Sequence, residues 1–260
     1  MQGEAMRRAF QESFACVAPR ALGALCAAFL ASGCVAPATT PPPEPTPRAA
    51  APLPLVPRAE IDIAELTQAT QLQIQRGERT AMVWWLPEQF WDEALRRQKS
   101  PEAMVVAMRE VVRPYVVVFA LDVAVSGGDA KLTGKSEAEL RESLRLRDAQ
   151  GREYAPIPWS DVSPSATNLL GTMQPLLASM MGKIGENFRP FVFPARDPEG
   201  RAIADPLAAG RFTVELAGSA LTWQLPLAAL IAPRSCPIDS ATFNGTFRFC
   251  PFHGVELVNP

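Results

Sequence analysis

Apolar positions change period several times along the chain. Over residues 61–76, Ile63, Leu66, Ala69 and Ile74 recur at loosely helical spacing. Residues 80–86 read as a strand that ends at Pro87. Phe90, Trp91, Ala94 and Leu95 mark one face of a short helix over 88–98. A second helix over 101–112 carries an apolar stripe of Met104, Val105, Met108, Val111 and Val112, with Ser100 as N-cap and Pro101 at the first helical position. Residues 115–125, with Val116, Val117, Val118 and Phe119 in succession, predict the strongest strand, one central in its sheet.

Further on, Leu144 and Leu146, then Tyr154 and Ile157, flank Asp148-Ala149-Gln150-Gly151, a hairpin turn by composition. Residues 188–193 form another short strand before a turn at Asp197-Pro198-Glu199-Gly200. Phe212, Val214 and Leu216 alternate with polar or small residues, and so do Leu221, Trp223, Leu225 and Leu227 after Gly218-Ser219. Between these strands, Leu169, Leu170, Met173, Leu176, Leu177, Met180, Met181 and Ile184 keep a helical period interrupted by Pro175. About seven short strands predict a mainly β body, an immunoglobulin-like β-sandwich with helical insertions.

Two segments fall outside this pattern. At the N-terminus, Arg7, Arg8 and Arg20 precede an apolar run over 21–30. That run is too short to span a bilayer, which takes about 20 residues, and it fits the core of a secretory signal. Leu30-Ala31-Ser32-Gly33-Cys34 resembles the lipobox of bacterial lipoproteins, with Ala31 in place of the usual leucine. The resemblance implies cleavage after residue 33 and a diacylglycerol on the Cys34 thiol; Cys16 and Cys26 then leave with the signal. Val35 stands where aspartate retains family members at the inner membrane, so the expected location is the outer membrane, facing the periplasm. Met6-Arg7-Arg8-Ala9-Phe10 also resembles part of a twin-arginine export motif.

Residues 34–60 then change composition. Nine prolines lie between Pro37 and Pro57, three of them consecutive at 41–43. Proline fixes φ and lacks an amide hydrogen, so this stretch predicts an extended tether between the lipid-attachment cysteine and a body over 61–232.

The last segment, 233–260, carries the clearest chemistry. Cys236-Pro237-Ile238-Asp239 and Cys250-Pro251-Phe252-His253-Gly254 resemble the two knuckles of a zinc ribbon. The resemblance implies one structural zinc held by Cys236, Asp239, Cys250 and His253. Asp239 stands in place of a knuckle cysteine and Ser240 in place of a glycine. The alternative is a disulfide between Cys236 and Cys250, common in an oxidising compartment.

Composition narrows the rest. With 25 Lys+Arg against 27 Asp+Glu, the net charge of -2 offers no basic excess for nucleic acid. The one histidine, His253, is already placed at the knuckles. No P-loop, G-x-G-x-x-G, H-E-x-x-H or G-x-S-x-G motif occurs. Glu137, Glu139 and Glu142 beside Lys135, Arg141 and Arg145 read as a solvated helix face. Trp84, Trp85 and Trp91 read as core before they read as a sugar-stacking platform, and the methionines 173, 180 and 181 as packing before a binding groove. The expectation is a lipid-anchored cell-envelope protein with a binding or structural role and an envelope protein partner. The alternative is an envelope hydrolase that uses carboxylates.

Overall fold

The computed structural model describes residues 53–57, 60–126 and 131–259. The signal, Cys34 and most of the tether lie outside them.

Asp62 opens helix α1 (Ile63–Thr70) by accepting a hydrogen bond from Ala64 N at 2.8 Å. The helix expected over 61–76 stops there. From Gln71 the side chains alternate polar and apolar, and β1 (Gln71–Arg76) instead pairs with β2 (Arg79–Trp85). A buried threonine closes the junction: Thr70 Oγ1 donates to Leu66 O at 2.8 Å and accepts from Trp84 Nε1 at 3.2 Å. Helices α2 (Glu88–Arg97) and α3 (Glu102–Val112) follow. Arg109 fastens α3 to α2, reaching Glu88 and Asp92 at 2.6 Å each. Pro101 takes the cap position of α3, so Ser100 does not cap it as expected.

Strand β3 (Tyr115–Ser126) is central, as its apolar run predicts. One edge pairs with β2. The other edge is divided between β7 (Arg189–Pro194), along 115–120, and β4 (Lys131–Gly134), along 123–126. Helix α4 (Glu137–Ser143) starts with a capping box between Ser136 and Glu139, and Leu140 is its one buried residue. A second antiparallel sheet runs in the order β6 (Glu153–Tyr154), β5 (Arg145–Arg147), β8 (Gly210–Leu216), β9 (Ser219–Leu225). Along β8 and β9 alternate residues are buried, the period the sequence shows. Helix α5 (Pro164–Gly185) takes Pro175 in its interior, and the backbone leaves helical geometry only at Gly182.

The two sheets share one hydrophobic core. Trp85 on β2 meets Phe212 edge-on at 4.8 Å, and Phe212 stacks on Trp223 at 4.9 Å. The chain is therefore mostly β, antiparallel sheets with helices between them. Trp84, Trp85 and Trp91 are all at most 2% exposed, which makes them core and not a platform.

Residues assigned to the tether by composition already belong to the body. Val56 N donates to Leu230 O at 3.0 Å and Ala232 N to Pro54 O at 2.8 Å.

The turns at 148–151 and 197–200 share the pattern Arg-Asp-x-x-Gly-Arg, at 147–152 and 196–201. In each, the Asp amide bonds the second arginine's carbonyl, and Asp Oδ1 accepts that arginine's amide at 2.8 Å. The two turns also grip each other. Arg152 holds Glu199 through both guanidinium nitrogens, at 2.7 and 3.1 Å, while Arg201 Nε lies 2.7 Å from Asp197. The Arg152 hydrogen bond brings the Glu199 carboxyl below its ordinary 4.5. Burial pushes Asp197 up, but the hydrogen bonds of Arg201 outweigh it, and the carboxyl sits below its ordinary 3.8.

Carboxyls with depressed folded values stabilise the fold above their unfolded values and lose that contribution as pH falls through the folded ones. Glu199→Gln should therefore lower the melting temperature at neutral pH and flatten its decline below about pH 4.5. Melting curves across that window check this; parallel declines in the variant and the parent would contradict it.

Candidate metal centre

Beyond the shared core, residues 233–259 pack around a small core of their own. Cys236, Cys250 and Leu257 are buried, with Phe243 and Val255 partly so. Strand β10 (Arg234–Ser235) pairs with β11 (Thr242–Phe243), which makes residues 236–241 the loop of one hairpin. A bridge between Phe249 and Glu256 closes a second loop over 250–255, and Ser235 bridges Val258 to join the two. Each cysteine is thus the first residue of a tight loop.

The two loops have the same backbone. Ser240 N donates to Cys236 O and Gly254 N to Cys250 O, both at 2.9 Å. Cys236 N reaches Ala241 O at 2.9 Å, and Cys250 N reaches Val255 O at 2.8 Å. Ser240 has φ +60° and Gly254 φ +66°, so the serine takes the left-handed conformation of its glycine counterpart. The amides two and three residues after each cysteine face its sulfur: Ile238 and Asp239 face Cys236, and Phe252 and His253 face Cys250. Amides so placed stabilise thiolates.

These loops bring three ligand atoms together. His253 Nδ1 lies 3.4 Å from Cys236 Sγ and 3.5 Å from Cys250 Sγ. All three atoms fall within 4.8 Å of one another. A tetrahedral ion bound at about 2.3 Å by sulfur and about 2.0 Å by imidazole needs S···N separations of about 3.5 Å. The spacing therefore fits such an ion, and Cys236, Cys250 and His253 form a group that can hold a metal. Both cysteines are free thiols in the structure.

Asp239 stands at the margin of this group. Its Oδ1 accepts from Ala241 N at 3.0 Å, while Oδ2 lies 3.8 Å from His253 Nδ1. The Ala241 amide leads in holding this carboxyl below its ordinary value. Burial pushes the Cys236 thiol up. Burial also opposes ionisation of Cys250, but the His253 and Phe252 amides and the His253 ring bring its thiol lower than usual.

Of the other candidates, Cys34 lies outside the described residues. Glu139 and Glu142 are exposed on α4, and Glu137 pairs with Arg141 at 3.2 Å. A cavity of about 300 Å³ between α2 and α3 is lined by Asp92, Glu93 and Glu102. Glu93 pairs there with Arg96 and Arg97, and Asp92 with Arg109. Two of its carboxylates thus face guanidinium groups.

Two features of the centre were not read from the sequence. Ile238 and Phe252 occupy matching places in the knuckles, and both are exposed. Gly245 abuts the body, where an added Cβ would fall on the carbonyl oxygen of Ala232. The paired Cys-Pro-x signature locates the first feature; nothing local announces the second.

The matched backbones predict opposite effects of two substitutions. Left-handed geometry costs a non-glycine residue about 1–2 kcal/mol. Ser240→Gly should therefore slow hydrogen exchange of amides in 234–258 by about fivefold, and Gly254→Ala should speed it by at least as much. Equal exchange in parent and variants would contradict the paired-knuckle geometry.

In comparisons with known proteins, the chain matches no family, no curated protein and no solved structure.

Proposed function

We propose that the protein is a lipid-anchored component of the bacterial cell envelope with a binding or structural role. Cys34 carries the lipid, and the body faces the periplasm from the outer membrane. Its C-terminal segment is a degenerate zinc ribbon in which a structural zinc is held by Cys236, Cys250 and His253, with Asp239 as the oxygen ligand. Zinc suits two thiolates and an imidazole in tetrahedral array. The observation that carries this part is the identical backbone of the two loops around converging sulfur and nitrogen atoms. A site closed by four protein ligands supplies cross-linking rather than turnover. On this reading the role of the metal is to hold an otherwise thinly packed segment in shape.

The body is proposed as a sandwich of immunoglobulin-like type, supported by two antiparallel sheets around one core. Such a body offers strand edges and loops to an envelope protein partner. The anchor reading rests on the lipobox-like residues and on the proline-rich stretch that leads to the first body contact at Pro54. Acyl chains on one cysteine, followed by an extended spacer, hold a water-facing domain at a membrane without a spanning helix.

Cys34→Ala should move the full-length chain from the membrane fraction and leave its signal unprocessed. Limited proteolysis of the wild type should leave a resistant core beginning near residue 53, because the backbone is hydrogen-bonded from Pro54 onward. Unchanged membrane association of the variant with an unchanged mature mass would contradict the anchor. A core beginning well inside the body would contradict the boundary.

A further inference from the structure

Exposed apolar side chains gather in the C-terminal segment. Ile238 is 61% exposed and Phe252 80%, and Phe247 and Phe249 are about half exposed. Ile238 and Phe252 each sit two residues after a cysteine, with their amides turned to the sulfurs. The same loops that aim the thiols inward therefore carry these two side chains into solvent, one from each knuckle. Arg248 lies over the Phe249 ring at 5.2 Å, a cation beside an exposed aromatic.

The N-terminal end of the described residues lies next to this segment. Residues 54–56 pair with 230–232, directly before the module begins. Val56, Thr242, Phe243 and Gly245 line one cavity of about 330 Å³. The Phe243 ring is in turn 6.0 Å from that of Phe252. The knuckle carrying Phe252 is thus two contacts from the point where the upstream chain joins the body.

We infer that the knuckle tips dock on the lipid bilayer, with Ile238 and Phe252 entering the boundary between headgroups and acyl chains. This rests on the anchor at Cys34 proposed above. Isolated apolar side chains on tight, protruding turns suit a deformable apolar layer, and the Arg248–Phe249 pair suits the headgroup region beside it. Two such side chains bind a bilayer weakly alone. Attachment through the proposed anchor makes their encounter with the bilayer intramolecular, so contacts that are weak alone stay engaged. The metal fixes both knuckles, so it also fixes the spacing of the tips. Docking would present the tethered body to the periplasm in a set orientation.

The test uses the acylated full-length chain on vesicles of phosphatidylethanolamine and phosphatidylglycerol, made with ordinary or brominated acyl chains. Phe252→Trp places an indole at one tip, and Ile238→Trp provides an independent reporter at the other. Brominated lipid should quench the emission added by either substitution, and chelation of the metal should abolish that quenching. Vesicle-bound protein with equal emission in both lipids would overturn the docking while leaving the anchor standing. Quenching that survives chelation would overturn the part assigned to the metal. A chain that fails to sediment with vesicles at all would overturn the anchor and the docking together.

Discussion

Two buried thiols side by side, with an imidazole nitrogen in reach of both, are the constraint on which the C-terminal segment of the described architecture depends. Apart from Gly245, which packs on the body, residues 233–259 bury only Cys236, Cys250 and Leu257 fully. A segment of that size cannot bury enough apolar surface to hold itself, and small units of this kind rely on a cross-link. The two knuckles bring together the ligands for one by repetition. The same carbonyl–amide closure and the same left-handed residue bring each cysteine to the centre, and His253 completes a set with the spacing of a tetrahedral ion. Asp239 lies at the edge of this group, its position fixed by the Ala241 amide.

The body is held differently, by burial and by matched turns. Trp85, Phe212 and Trp223 join the two sheets through direct ring contacts, each residue at most 2% exposed. At the periphery, the paired Arg-Asp-x-x-Gly-Arg turns lock the β5–β6 hairpin to the loop after β7 through Arg152 and Glu199. The module joins the body where Gly245 lets the backbone approach Ala232, beside the place where the N-terminal chain first pairs. Residues 54–56 and the C-terminal module thereby occupy neighbouring positions, although more than 170 residues separate them in sequence.

Much of this was legible where a local pattern decides the outcome. The alternation in Phe212, Val214, Leu216 and in Leu221, Trp223 marks strands because one face of each is buried. The run from Val116 to Phe119 marks a strand with neighbours on both sides. The helix that turns into a strand at Gln71 was not legible. Ile74 satisfies both periods, and pairing with β2 settles the choice. Pro175 inside α5 likewise goes against the local signal. At the site, Cys236, Cys250 and His253 were legible through their resemblance to zinc-ribbon knuckles, whose geometry is local. Ser240 as a left-handed residue looked like a departure in the sequence and is an equivalent in the structure. Which carboxylate pairs with which arginine, and which glycine touches the body, are tertiary facts with no local signature.

The most direct test of the account is X-ray absorption at the zinc edge on the purified full-length chain, together with metal content and a thiol count after denaturation without reductant. One zinc per chain is expected, bound by two sulfurs at about 2.3 Å and by nitrogen and oxygen at about 2.0–2.2 Å, with two titratable thiols in the C-terminal segment. A protein without zinc, in which the thiols of Cys236 and Cys250 appear only after reductant is added, would contradict it and establish a disulfide in place of the metal.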